Sequence, residues 1–199
     1  MSTTILLLAA GSSSRMGQSK QLLPVNGMPL LVHAAHEALN ACPRVIVVLG
    51  AEAKAHRSAL AGLPLNIVVN PHWQKGMGSS LKQGLAQLLQ TDPSVEGVLV
   101  MVCDQPGATS SHLVKLIKLA AQSTKAIIAS AYGNTQGVPA LFKRQAFGLL
   151  SLIGDESGAA KLIRQHPEMV DVIDLPGGDI DIDTPTDYQR FLNPPQNRR

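Results

Sequence analysis

Between Leu8 and Pro24 the sequence reads LAAGSSSRMGQSKQLLP, with Gly11, Gly17 and three consecutive serines, Ser12 to Ser14, set among the two cations Arg15 and Lys20. Small side chains leave the backbone N–H groups of such a loop free to turn towards phosphate oxygens, and Arg15 and Lys20 add charge. The pattern suits a triphosphate cradle. Its spacing is neither that of the GxxxxGK[ST] phosphate loop nor that of the GxGxxG dinucleotide fingerprint. As composition alone, a Gly/Ser-rich stretch is equally a flexible connection carrying solvated charges.

Two aspartates add a second kind of chemistry. Asp104 follows the apolar run ending at Cys103, which delivers its carboxylate to the lip of a sheet. Hard divalent cations take such oxygen ligands, and magnesium needs only one or two carboxylates because substrate phosphates and water complete its shell. Asp183 lies in DIDTPTDY, two residues after Asp181. Each has a plainer role open to it: Asp104 as a helix cap, and Asp183 as the cap of a helix opening at Thr184-Pro185. The stretch GMGSS, Gly76 to Ser80, lets backbone approach a flat ligand and then starts a helix, with Ser79 or Ser80 as a cap and Met77 equally suited to the core. His33 and His36 stand three apart on a predicted helix without a third ligand, so packing is the better account of them. His72 lies closer to the candidate chemistry.

The elements that must position these groups follow from hydrophobic periodicity. Continuous apolar runs over Thr4–Ala10, Arg44–Leu49, Leu65–Val69, Gly97–Cys103 and Lys125–Ala131 read as strands buried on both faces. Helical spacing fills Pro29–Cys42, Ala51–Ala61, Ser79–Gln90 and Ser110–Gln122. This alternation predicts an α/β fold, doubly wound, with a mostly parallel sheet flanked by helices. Ligands in such sheets sit beyond the carboxyl ends of the strands, which places the chemistry in the loops after Ala10, Val69 and Val102. Further on, the pattern predicts a turn through Gly137 to Pro139, helices over Lys143–Leu152 and Gly158–Gln165, a last strand over Met169–Leu175, and a closing helix over Thr184–Leu192 with Pro185 in its first turn. Residues 1–192 read as one domain, and 193–199, rich in Pro, Asn and Arg, as a disordered tail.

Bulk properties exclude several classes. The chain has 199 residues, 45% apolar and 16% charged, a formal net charge of +3, and no basic run except Arg198-Arg199. With aromatics at 3%, neither a nucleic-acid footprint nor a set of stacking platforms is present. Cys42 and Cys103 form no CxxC pair, so no zinc knuckle or disulfide framework is expected. No apolar stretch reaches the roughly 20 residues of a membrane span, and the start MSTTILLLAAG lacks the marks of a signal peptide. A cytoplasmic location, without membrane or nucleic-acid partners, is the expectation.

The opening segment resembles the LA[AG]GxSxRMGxxK signature of the MobA-like NTP transferases, the nucleotidyltransferases grouped with the molybdenum cofactor enzymes. NPHWQKGMGSSLKQGL from Asn70 resembles that family's base-recognition segment, VMVCDQP from Val100 its metal-binding strand end, and DIDTPTDY from Asp181 its C-terminal metal segment. The resemblance implies a Rossmann-like nucleotidyltransferase fold, with Ala9, Ala10, Gly11, Ser12, Arg15, Lys20, Asn70, Gly76, Gly78, Ser79, Ser80 and Asp104 at the nucleotide. It implies Arg15, Lys20 and Asp104 as catalytic residues, and Asp104 with Asp183 holding Mg²⁺, with Mn²⁺ as an alternative. LAAG together with DQP resembles the cytidylyltransferase (MocA-like) branch, hence CTP as donor, molybdopterin or a related phosphorylated compound as acceptor, and a molybdoenzyme or its chaperone as recipient of the product. In the acceptor region, GVPALF places Val138 where family members commonly carry His, whereas GDESGAAKL, from Gly154, keeps the family's GDxGAxxL character. Other readings remain: a GTP-using or sugar-phosphate nucleotidyltransferase, a non-catalytic accessory protein that binds molybdopterin, or a nicotinamide- or flavin-linked reductase, against which stands the missing dinucleotide fingerprint.

Overall fold

A strand such as Val45–Leu49, VIVVL and buried throughout, can be satisfied only between two covering layers, and the chain supplies both. The computed structural model describes residues 1–193; apart from Asn193, the expected disordered tail lies outside the described residues. In chain order the elements are β1 (Thr3–Ala9), β2 (Pro24–Val25), β3 (Met28–Pro29), α1 (Leu30–Ala41), β4 (Val45–Leu49), α2 (Ala53–Ala59), β5 (Asn66–Val69), α3 (Met77–Thr91), β6 (Gly97–Val102), α4 (Ser110–Gln122), β7 (Ile127–Tyr132), β8 (Thr135–Lys143), α5 (Phe147–Ser151), α6 (Ala159–Gln165), β9 (Val170–Asp174) and α7 (Pro185–Leu192).

Seven strands form one sheet in the order β5-β4-β1-β6-β8-β7-β9. All its pairings are parallel except those of β8, which runs antiparallel to β6 and β7. Along β1, Leu6 and Leu8 point into a layer built from Leu81, Leu85 and Leu88 of α3 together with α5 and α6. The alternate residues Ile5, Leu7 and Ala9 meet Leu31, Ala34 and Ala38 of α1 and Leu113 and Leu116 of α4. Period-2 alternation thus sends one strand into two cores, the doubly wound arrangement predicted from the sequence.

Two expectations are corrected. The turn over Gly137–Pro139 is part of β8, and the register jumps there from Ala129↔Ala140 to Ser130↔Gly137. That irregularity leaves Val138 and Pro139 off the ladder with β7, which is how a strand tolerates a proline. The helix expected over Lys143–Leu152 is a 3₁₀ turn, Arg144–Ala146, followed by the short α5. An additional hairpin joins β2 to β3 through Asn26 (φ 51°) and Gly27 (φ 82°), both left-handed as a type I′ turn requires.

A third, smaller core lies outside the sheet layers. Met16, Leu23, Val25 and Leu30 pack with Ile182, against Tyr188 and Phe191 of α7. It ties the Gly/Ser loop to the C-terminal segment, and the Tyr188 hydroxyl reinforces it by donating to the Pro24 carbonyl at 2.6 Å. Among the described residues, no helix is long and apolar enough to cross a membrane.

His112 of α4 is buried and sits 2.7 Å from the Ser130 hydroxyl, which donates to the Pro139 carbonyl at 2.5 Å. Burial, aided by the nearby Lys115 charge, holds its imidazole below the ordinary value of 6.5. The unfolded chain therefore binds the proton first, and this group's contribution to stability is present above about pH 6.5 and lost as the pH falls towards the folded-state pKa. Urea midpoints of wild type and His112→Gln should converge as the pH is lowered from 7.5 to 5.5; a constant difference between them would show that His112 takes no part in this titration.

Candidate functional site

The loops at the carboxyl ends of β1 and β6 open onto a cleft of about 580 Å³, within the usual range of small-molecule sites. One wall is the Gly/Ser loop with Ala9, Ala10, Gly11, Ser12, Arg15 and Lys20; Asp104 and Gln105 come from the end of β6, and Asp181 and Asp183 from the segment before α7. Trp73, Gly76, Met77 and Ser80 line the side leading into α3, where Glu156 lies against Gly76 and Gly158 against Met77, and Tyr132 and Val138 complete the lining.

At the centre, the Lys20 ammonium donates to Asp104 Oδ2 at 2.5 Å and to Asp183 Oδ1 at 2.7 Å. Arg15 Nη2 donates to the other Asp183 oxygen at 2.9 Å. Burial works against the charge on Lys20, but the attraction and hydrogen bonds of the two carboxylates outweigh it and raise its pKa. Burial also opposes ionisation of Asp183, yet Lys20 and Arg15 pull its pKa below the ordinary range. Asp181 differs: burial, then the adjacent Asp104 charge, push it up to about 6. The geometry therefore puts Asp183, not Asp181, beside Asp104 on the shared cation. Cys103 is pushed up to about 12 by burial and by Asp104, so it stays a thiol at neutral pH.

Neither aspartate is a helix cap. The residue before α4 is Thr109. Thr184 caps α7 in a capping box, with its hydroxyl accepting from the Asp187 N–H at 3.2 Å and Asp187 accepting from the Thr184 N–H at 2.9 Å. Asp183 is held instead by its neighbour: Ile182 is buried in the third core, and its N–H donates to the Asp104 carbonyl at 3.0 Å. Two carboxylates that already share one cation fit the needs of a magnesium-like ion. Among the described residues no three His, Cys, Asp or Glu side chains cluster as a fuller metal cage would need.

The segment from Asn70 is built differently from the expectation. Ser79 and Ser80 do not cap α3, which starts earlier, at Met77, after Gly76. Both hydroxyls accept from the Asn70 amide at 3.1 Å, and the Asn70 oxygen accepts from the His72 N–H at 2.9 Å. Asn70, Gly78 and Ser79 lie behind the cleft wall, whereas Gly76 and Ser80 line it. The glycines are required by the protein itself: a Cβ on Gly78 would come within 2.1 Å of the Gly154 carbonyl, and one on Gly76 (φ 117°) within 2.7 Å of the Asp155 carbonyl. The 154–157 loop docks there, its Asp155 carbonyl accepting from the Ser79 N–H at 3.1 Å and its carboxylate pairing with Lys82 at 2.6 Å. Met77 is exposed on the cleft rather than buried, whereas His72 is exposed but does not line the cleft.

Sequence reasoning missed Gln21, Trp73, Tyr132 and Glu156. Trp73 carried a signal as the chain's single tryptophan, set within the Asn70 segment. Tyr132 carried none, because it reaches the cleft only through the antiparallel crossing of β8, where its hydroxyl donates to the Val138 carbonyl at 3.1 Å.

Comparison with known proteins gives a consistent picture. Residues 5–170 match the family model of the MobA-like NTP transferase domain. Nicotine blue oxidoreductase of Paenarthrobacter nicotinovorans is 32% identical, over 95% of this chain and 96% of that protein. Purine catabolism protein PucB of Bacillus subtilis is 27% identical, over 92% of each. Among solved structures, Rv0371c of Mycobacterium tuberculosis H37Rv has a TM-score of 0.84 and 30% identity over 96% of this chain and 98% of that one. Its manganese complex gives 0.82 and 29% over the same shares.

The docking of the 154–157 loop on α3 is testable by two glycine substitutions of opposite sign. Gly78→Ala should destabilise the fold by roughly 1–3 kcal/mol through backbone collision. Gly148→Ala, in α5 with nothing within 4 Å of the added methyl, should stabilise it by about 0.5–1 kcal/mol. Urea unfolding of the two variants checks both; a neutral Gly78→Ala would mean that the loop yields.

Proposed function

This chain belongs to the MobA-like NTP transferase family, and from that premise we propose that it transfers CMP from CTP to the terminal phosphate of a molybdopterin-type acceptor. The observation that carries the proposal is the Lys20 ammonium held between Asp104 and Asp183 at the foot of the Gly/Ser loop. Cation, paired carboxylates and small-residue loop together make a site for a polyphosphate. Residues 1–192 serve as one domain in this reading, and the product passes to a molybdoenzyme or its chaperone.

In the reaction an acceptor phosphate oxygen bonds to the α-phosphorus of CTP, the bond from that phosphorus to the bridging oxygen breaks, and the electron pair leaves with pyrophosphate. A phosphate monoester with a second pKa of about 6 is largely dianionic at neutral pH, so no general base is required. The obstacle is repulsion between two polyanions. Arg15 and Lys20 offset that charge and align donor with acceptor, while Gly11 and Ser12 offer backbone N–H groups to the phosphates. Asp104 and Asp183 would hold Mg²⁺, or Mn²⁺, which when bound supplies further charge neutralisation. The manganese complex of the 29% identical Rv0371c supports a divalent cation.

A second reading has one specific observation behind it, the 32% identity to a protein named nicotine blue oxidoreductase. Nucleotide assays separate the two. Pyrophosphate release should be greatest with CTP, above GTP and ATP, and should depend on the molybdopterin acceptor, each base-specific hydrogen bond separating the nucleotides by about 1–3 kcal/mol. Equal or better use of GTP would remove the cytidylyl assignment. Hydride transfer from a nicotinamide nucleotide, without pyrophosphate release, would favour the oxidoreductase reading.

Lys20 gives a sharper test of transfer against mere binding. Charge builds on the departing pyrophosphate, and an electrostatic partner there is worth about 3 kcal/mol, or roughly a hundredfold in rate. Lys20→Met should therefore lower kcat by about that factor at saturating CTP and metal. An unchanged kcat with a raised KM would confine Lys20 to holding the ground state.

A further inference from the structure

The transfer mechanism makes no use of a buried glutamine at the end of the Gly/Ser loop. Across residues 11–20 only Met16 has a buried side chain, and the next residue, Gln21, is 1% exposed. Its amide nitrogen donates to the Gly11 carbonyl at 2.8 Å. Its oxygen accepts from Ser13 Oγ at 2.8 Å and from Ser19 Oγ at 3.0 Å. A single amide thus ties the start, the middle and the end of the loop to one point.

The directions of these bonds are fixed by what each group can give. Ser13 spends its proton on Gln21 and uses a lone pair to accept the Lys20 N–H at 3.1 Å. Ser19 likewise spends its proton on Gln21, so its 2.7 Å contact with His56 Nε2 runs from the imidazole N–H to the hydroxyl oxygen. His56 is buried in α2, a helix that does not line the cleft. Turning the Gln21 amide over would set its oxygen against the Gly11 carbonyl, and the chain of donors beginning at His56 opposes that turn. Ser13 is held at φ 54°, a left-handed conformation that a non-glycine residue keeps only where its surroundings over-determine it. Two hydrogen bonds to its hydroxyl do so.

We propose that Gln21 is the positioning residue of the triphosphate loop, and that His56, acting through Ser19, fixes the direction in which its amide faces. Gln21 acts through other groups: it sets the backbone from Gly11 to Lys20, and so the direction from which the Lys20 side chain reaches Asp104 and Asp183. The kinetic part of this inference rests on the nucleotidyl-transfer reading; the structural part does not.

Trypsin supplies an independent readout, since Arg15 lies exposed in the loop with 70% of its side chain open to solvent. Gln21→Leu keeps the size and removes all three hydrogen bonds. It should speed cleavage after Arg15 by about tenfold and raise KM for CTP by about tenfold, with a smaller change in kcat, because loss of loop order weakens ground state and transition state together. His56→Leu should move both quantities in the same direction, and His56→Gln, which keeps a donor near the Nε2 position, should restore both. If Gln21→Leu does not fold, Ser13→Ala and Ser19→Ala, each removing one strut, should show smaller shifts of the same kind. Wild-type cleavage rates in Gln21→Leu, or faster cleavage with KM unmoved, would overturn the proposal, and His56→Gln behaving like His56→Leu would overturn the part given to His56. A wild-type protein that turns over no nucleoside triphosphate would sink the transfer reading instead, and the cleavage rates alone would then decide this one.

Discussion

Carboxylates at one end of a cleft repel each other, and the architecture of this protein is organised around containing that repulsion. Asp104 arrives from the end of β6, and Asp181 and Asp183 from a segment nearly eighty residues later. At separations of about 4 Å, two like charges near a protein surface repel by roughly 4 kcal/mol, a large share of the 5–15 kcal/mol that holds a typical domain together. Lys20 answers by sitting between two of the three carboxylates, with Arg15 closing on the second. The third carboxylate, Asp181, has neither cation as a direct partner, and burial, with the Asp104 charge added to it, pushes its pKa up to about 6.

Such a cluster needs rigid supports on every side. The sheet supplies one, since β6 is buried and hydrogen-bonded between β1 and β8. The third core supplies another: Met16 and Ile182 pack in the same small cluster, so the loop bearing Lys20 and the segment bearing Asp183 are anchored to one another. The same logic governs the wall opposite. Gly76 and Gly78 have no side chains because the 154–157 loop lies on the start of α3, and its Asp155 carbonyl satisfies an N–H that a helix N-terminus would otherwise leave open. The start of α3 and the 154–157 loop are thereby joined through direct backbone contact.

Membership of the MobA-like family fixes the scaffold more firmly than the reaction, because one scaffold can carry several chemistries. The relatives bear names as different as nicotine blue oxidoreductase and purine catabolism protein PucB. One part of the cleft departs from the resembled motif: it presents Val138 and Tyr132, with the Tyr132 hydroxyl donating to the Val138 carbonyl and approached by the Gln105 amide at 3.4 Å. An apolar side chain thus stands at the position where a histidine is common in the resembled motif.

The sequence by itself determined what depends on near neighbours. The apolar runs of β1, β4 and β6 announced a parallel sheet because a strand buried on both faces has no polar alternation, and the same runs located Asp104 at a strand end. Pro185 marked the start of α7 in the same local way. Only the tertiary structure could decide which carboxylate joins Asp104, since Asp181 and Asp183 are alike in sequence and differ only in how Ile182, buried between them, turns each to its side. It alone revealed β8 running through Gly137–Pro139, where a register break with β7 accommodates residues that locally spell a turn. Gln21 was hidden for the same reason: its three partners lie within ten residues, but the burial that makes its amide a strut comes from α2 and the packed loop. Burial and long-range pairing are properties of the folded whole, and no local spacing encodes them.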